Sequence, residues 1–108
     1  MRGKSKKTMK NEKKINVAVQ VLPEGKKKEA YEKVDLCISL IAASGLKYTV
    51  CPFETVIEGY WDEIMRLIAE MKDACLNAGS ENIIINLKIQ VSRNNDVTVD
   101  DKMAKYKI

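Results

Sequence analysis

Apolar residues alternate with polar or small ones from Ile15 to Leu22. Val17, Val19 and Val21 share one face, and Asn16, Ala18 and Gln20 share the other. A period of two is that of a strand, and Pro23-Glu24-Gly25 ends it. The period then lengthens. After Lys26-Lys27-Lys28, Ala30, Val34, Cys37/Ile38 and Ile41 recur three and four apart, which predicts a helix over about 29–44 with one buried stripe. Gly45 is placed to stop it, since glycine takes the left-handed conformation cheaply. Strand-like runs return at Leu46–Cys51, with Leu46, Tyr48 and Val50 on one face, and at Glu54–Glu58. The Pro52-Phe53 turn between them predicts an antiparallel hairpin. A second helix is predicted over Tyr60–Ala78, with Trp61, Ile64/Met65, Ile68, Met71/Lys72 and Cys75 inward and Gly79 at its end. Asp62 and Glu63 fall in its first turn, where the helix dipole favours acids. Asn82–Ser92 alternates again, with Ile83, Ile85, Leu87, Ile89 and Val91 opposite Ile84, Asn86, Lys88 and Gln90. After the loop Arg93-Asn94-Asn95-Asp96, Thr98-Val99-Asp100-Asp101 has the form of a capping box and predicts a short C-terminal helix.

The order β-α-β-β-α-β is that of the α+β, ferredoxin-like sandwich: two helices on one face of a four-stranded antiparallel sheet, here with a short C-terminal helix. The second face is then expected to receive no cover from its own chain. That face is mixed: Ala18, Val56 and Ile84 are apolar, whereas Asn16, Gln20, Asn86, Lys88 and Gln90 are polar. It is too apolar to stay fully wet and too polar for a monomer core. A second subunit, with a ligand held between the two, is the expected solution.

Charge changes the picture once it is divided along the chain. Residues 1–14 hold seven basic residues and one acid, a net +6. The remainder holds twelve basic and fourteen acidic residues, a net −2. The expected organisation is therefore a disordered basic arm over residues 1–14 and one mildly acidic domain over residues 15–108, with Met9 an alternative start. A nucleic-acid-binding domain would carry its positive charge on a folded face, so no nucleic-acid partner is expected. No apolar run is long enough to cross a bilayer, and the basic N-terminus lacks the apolar segment of a secretory signal. With 45% hydrophobic and 31% charged residues, the chain reads as a soluble globular domain. Cys37, Cys51 and Cys75 are odd in number and lack C-x-x-C spacing, which fits a reducing cytoplasm better than a disulfide framework.

Candidate chemistry is sparse. The chain has no histidine, which removes His-based acid–base catalysis and His-ligated metal. No phosphate-binding glycine loop and no nucleophile elbow is present. Ser39, Ser44 and Ser80 have no evident activating neighbour. The expectation is a protein without catalysis, without a metal site and without a cofactor in the enzymatic sense. A binding site has better candidates. Glu58 ends the third strand at a strand-to-helix junction. Its carboxylate would accept a hydrogen bond from a nitrogen heterocycle or balance a cation, or stand as an exposed strand-end acid. Thr55 is a β-former that also offers a hydroxyl. Gln20 and Asn86 can each donate and accept, as reading a heterocycle edge requires, or can simply solvate the open face or meet a second subunit. Trp61 is expected in the helix–sheet core, Tyr48 in the core and Phe53 in the turn.

These residues resemble a known family. Tyr48-Thr49-Val50, then Thr55-Val56-Ile57-Glu58-Gly59, then Trp61-Asp62-Glu63-Ile64-Met65 are similar to the small thiamine-binding proteins of the YkoF-like group. Thr98-Val99-Asp100-Asp101-Lys102-Met103 is similar to that family's closing helix start. The resemblance runs from about Ile15 to Tyr106. It implies a ferredoxin-like fold and self-association to dimers or tetramers through sheets. It also implies binding of thiamine or its hydroxymethylpyrimidine half without catalysis. Only Thr55 and Glu58 carry over through a motif; Gln20 and Asn86 rest on strand parity.

The resulting expectation is a cytoplasmic carrier, buffer or sensor of a thiamine-like ligand, with Thr55, Glu58, Gln20 and Asn86 at its site. A structural or regulatory oligomer without a small-molecule ligand is the alternative. An enzyme on the same scaffold, such as a small-molecule isomerase, is a third reading.

Overall fold

The computed structural model describes residues 12–106. Most of the basic arm assigned to residues 1–14, and the alternative start at Met9, lie outside the described residues. Eight elements follow in the expected order. They are β1 (Ile15–Pro23), α1 (Lys27–Ala43), β2 (Lys47–Val50), β3 (Thr55–Gly59), α2 (Trp61–Asn77), β4 (Ile83–Gln90), α3 (Val99–Met103) and a closing 3-10 turn (Ala104–Tyr106). Element ends move from the sequence expectation by one or two residues, as frayed ends do. The strands form one antiparallel sheet in the order β2-β3-β1-β4. This is the ferredoxin-like arrangement.

Parity assigns the faces. Val17 pairs with Ile57 and Ile89, and Val19 with Thr55 and Leu87. The odd-numbered residues of β1, β3 and β4 therefore share the face on which α1 and α2 pack. There Ile15, Val17, Val19, Cys37, Ile41, Ile57, Ile64, Leu67, Met71 and Cys75 form one buried cluster. The helices lie over β1, β2 and β3. The same-side residues Leu87 and Ile89 of β4 remain exposed.

Local chemistry explains the helix ends. Glu63 accepts the Tyr60 backbone N–H at 3.1 Å, closing an otherwise orphan donor at the start of α2. Gly45 follows α1 with φ +81°, the left-handed position that a Cβ disfavours.

The inward stripe of α2 differs from the one expected. Ile64, Leu67, Met71 and Cys75 are its buried residues, so Leu67 replaces Ile68 at the centre of the seam. Trp61 is 45% exposed. It is the first residue of the helix, immediately beyond β3, before the helix has settled onto the sheet. Tyr48 points to the helix side but sits on the edge strand β2 and is also exposed.

The second face of the sheet was expected to receive no cover from its own chain. That fails at one end. The segment from Asp96 to Lys102 crosses a single cross-strand row, Lys47–Glu58–Asn16–Gln90, which spans all four strands. Each member of the row holds it. Lys47 Nζ meets Asp100 Oδ2 at 2.7 Å. Glu58 Oε1 accepts the Val99 N–H at 2.8 Å. Asn16 Nδ2 donates to the Val97 carbonyl at 2.9 Å, and Gln90 Oε1 accepts from Lys102 Nζ at 2.9 Å. The Val97 N–H donates to the Lys14 carbonyl, and the Lys14 N–H donates to Asp96 Oδ1. Thr98 caps α3 as its sequence motif implies, accepting the Asp101 N–H at 3.1 Å.

Candidate ligand-binding site

Two hollows lie on opposite faces of the sheet. The helix-side pocket opens between α1, the end of β1 and the β2–β3 hairpin, with a volume of about 240 Å³. Its depth is apolar, with Val19, Ile41 and Met71, and its rim carries Tyr31 and Phe53. Phe53 is 82% exposed. The hairpin presents it there because Cys51 N–H bonds to the Glu54 carbonyl and closes the turn beneath it. Thr55 begins β3 inside this pocket. It is buried, and its side chain makes no hydrogen bond among the described residues. A hydroxyl held in an apolar pocket without a partner is suited to a ligand's polar edge.

The open-face hollow measures about 320 Å³ and lies beside the C-terminal segment, over Ala18 and Val56, with Gln90 and Lys102 at its side. Asn16 borders it. Its amide orientation is set by the donation to Val97, which leaves Oδ1 buried and, among the described residues, without a partner. Lys88 and Glu54 approach to 3.5 Å at its edge.

The four site residues inferred from the sequence do not converge within one protomer. Thr55 and Gln20 both line the helix-side pocket, but strand parity turns the Gln20 side chain, with Glu58 and Asn86, to the other face. The parity of β3 alone separates Thr55 from Glu58, since three residues along a strand reverse the face. Glu58 pairs with Asn16, four residues from Gln20 along β1, or about 13 Å at the rise of a strand. Gln20 Oε1 accepts from Asn86 Nδ2 at 3.2 Å, so those two satisfy each other.

Glu58 is also not the solvated strand-end acid of one reading. It is 8% exposed, and its carboxylate holds the first N–H of α3. The rim residues Tyr31 and Phe53 were missed as site residues. Their signal was an aromatic on a polar stretch of each neighbouring element, which is weak on its own.

Electrostatics are mild. Burial, with the Cys75 thiol beside it, pushes the Cys37 thiol up to about 12. The hydrogen bond to Asp100 raises Lys47 above its ordinary value. Among the described residues no group of three or more His, Cys, Asp or Glu side chains could hold a metal. No described helix is long and apolar enough to cross a membrane.

The chain is thus a small α+β domain of ferredoxin-like type with a pocket on its helix side. The chain belongs to the thiamine-binding protein family, whose model matches residues 17–107. A UPF0045 protein of Clostridium perfringens is 34% identical over 85% of this chain and 96% of its own. A domain of unknown function from Bacillus cereus superposes with a TM-score of 0.83 at 32% identity, covering 89% of this chain and 92% of the other. A candidate thiamine biosynthesis/salvage protein of Thermotoga maritima superposes with a TM-score of 0.80 at 28% identity, covering 87% and 99%.

Proposed function

We propose that this chain binds thiamine or its hydroxymethylpyrimidine half without transforming it, serving in the cytoplasm as a carrier, buffer or sensor. Membership of the thiamine-binding family supports the ligand class. The observation that carries the site is Thr55, a buried residue lining an apolar pocket rimmed by Tyr31 and Phe53, whose side chain makes no hydrogen bond among the described residues. About 240 Å³ is smaller than a pocket that encloses a whole drug-sized ligand. It suits one substituted ring. The aminopyrimidine enters, Thr55 meets its polar edge, and the thiazolium stays at the rim beside Tyr31 and Phe53.

Self-association to a dimer or tetramer is part of this reading. Leu22 and Ile84 stand exposed on the open face beside Ala18 and Val56. A second sheet laid on that face would cover them and place Gln20 and Asn86 at a subunit contact. The alternative, an oligomer that binds no small molecule, draws on the same exposed residues.

Thermal denaturation with thiamine, its phosphates and hydroxymethylpyrimidine separates the two, because a ligand of the native state raises the midpoint. A midpoint indifferent to all of them at millimolar concentration removes the ligand reading. A monomer by light scattering at micromolar protein removes the assembly.

A further inference from the structure

α1 and α2 meet through sulfur. Cys37 Sγ and Cys75 Sγ lie 3.4 Å apart, and both residues are buried. The ligand reading uses neither thiol. Cys37 also lines the helix-side pocket, which Cys75 does not. A small uncharged molecule that enters the pocket therefore meets Cys37 first, with a second thiol already in contact behind it.

We propose that Cys37 and Cys75 form a peroxide modification site: hydrogen peroxide arriving through the pocket oxidises Cys37, Cys75 resolves the product, and the disulfide staples α1 to α2. In the first step the Cys37 sulfur attacks one peroxide oxygen. An S–O bond forms and the O–O bond breaks. The sulfur loses two electrons to the peroxide, and the released hydroxide leaves as water with the thiol proton. In the second step the Cys75 sulfur attacks the sulfenic sulfur. An S–S bond forms, the S–O bond breaks, and a second water leaves with the Cys75 proton. Two thiols and one peroxide give one disulfide and two waters. The sulfurs must close from 3.4 Å to about 2.05 Å, the length of a disulfide, a shift of ~1.4 Å that rotation of the two side chains and slight helix adjustment can supply.

The site is slow by construction. The thiolate is the nucleophile, and burial holds the Cys37 thiol near 12. Oxidation is thus confined to sustained peroxide and should accelerate about tenfold per pH unit between roughly pH 7 and 9. Part of the proposal rests on the ligand reading: a ring seated in the pocket covers Cys37 and slows the reaction.

The test treats the reduced full-length protein with hydrogen peroxide and maps its cysteines by peptide mass spectrometry. The expected result is a Cys37–Cys75 cross-linked peptide, with a rate that climbs with pH. In Cys75→Ser the reaction should stop at Cys37 sulfenic acid, captured by a cyclic dione. Wild-type protein that stays reduced at these two positions overturns the proposal, as does a Cys37–Cys51 link in its place. Thiamine at saturation, with binding verified by calorimetry, should slow the cross-link at least tenfold. An unchanged rate with thiamine bound overturns the pocket route. If calorimetry shows no thiamine binding, the functional reading fails, and the disulfide is judged on the peroxide arm alone.

Discussion

The two faces of the sheet are built from the same strands and do different work. On the helix side, Ile15, Val17 and Val19 of β1 and Ile57 of β3 are buried in one continuous apolar cluster with the helices, and stability there comes from removing apolar surface from water. On the open side, polar residues alternate with a few apolar ones, and among the described residues cover comes from the Asp96–Lys102 segment gripped by one cross-strand row. Packing closes one face; directed hydrogen bonds close part of the other. The helix side retains a pocket because the hairpin and α1 splay at the end of β1. The open side retains a half-apolar surface because Asp96–Lys102 crosses it at one row, away from Leu22 and Ile84.

The largest effect should come from the helix side. Ile64 is wholly buried, and truncating a buried Ile typically costs about 2–5 kcal/mol. Ile64→Ala should therefore lower the urea midpoint severely. Ile84 on the open face is 60% exposed, so Ile84→Ala should change the stability of the protomer by less than about 0.5 kcal/mol. A large loss at Ile84 would mean that the open face is itself a packed core in the assembly, and light scattering on the variant would register the change in mass.

Next in size is the C-terminal clasp. Glu58→Leu leaves the Val99 N–H without its buried acceptor and should cost roughly 1.5–3 kcal/mol, the range for hydrogen bonds to charged groups. Glu58→Gln keeps an acceptor and should cost about half as much. Amide exchange at Val99 should accelerate in both variants, while exchange in β1 stays slow. A solvated strand-end acid, the other reading of Glu58, would leave both stability and Val99 exchange unchanged. If either variant leaves Val99 fully protected, the clasp is held by its neighbours and the carboxylate is spare.

Thr55 brings the comparison to the site itself. Thr55→Val keeps the shape of a β-branched core residue and removes only the hydroxyl. A neutral hydrogen bond contributes about 0.5–1.5 kcal/mol, so affinity for hydroxymethylpyrimidine should fall about two- to tenfold. The urea midpoint should hold, since the hydroxyl makes no hydrogen bond among the described residues. Calorimetry that finds unchanged affinity would move the ligand out of the helix-side pocket.

How far the sequence reveals each face follows from the range of the interactions. β1 and the first helix were legible because a period of two or of 3.6 is local, and the turn residues Pro23, Gly25 and Gly45 punctuate it. Trp61 was misplaced because periodicity does not say where the sheet ends beneath a helix. Leu67 was missed because Ile68 fits the same stripe one residue on. The separation of Thr55 from Glu58 was available from parity within β3. The clasp was not: Asn16 to Val97 spans 81 residues and Glu58 to Val99 spans 41, and no local pattern in either partner announces the other. A polar residue on an otherwise alternating strand, read as a candidate for ligand or solvent, here serves the protein's own backbone.

The smallest effect belongs to the outer end of the clasp row. Lys47 and Asp100 meet at 2.7 Å, but their side chains are half and nearly two-thirds exposed. An exposed pair gains little in water and loses much of that to salt. Lys47→Met should leave the urea midpoint almost unchanged at physiological salt, with a small loss visible only at low ionic strength. The hydrogen bond to Asp100 raises the Lys47 pKa above its usual 10.5. Its contribution is therefore fully present below that value and disappears as pH climbs through the folded pKa, so no change is expected between neutral pH and mild alkali. Comparing Lys47→Met with Glu58→Leu in 10 mM and 500 mM salt (~30 Å and ~4 Å of screening length) tests whether burial divides the row. The Glu58 effect should persist at both, and the Lys47 effect should vanish at the higher. Equal salt sensitivity would mean that the C-terminal segment is held by net charge along the whole row rather than by the buried Glu58–Val99 bond at its centre.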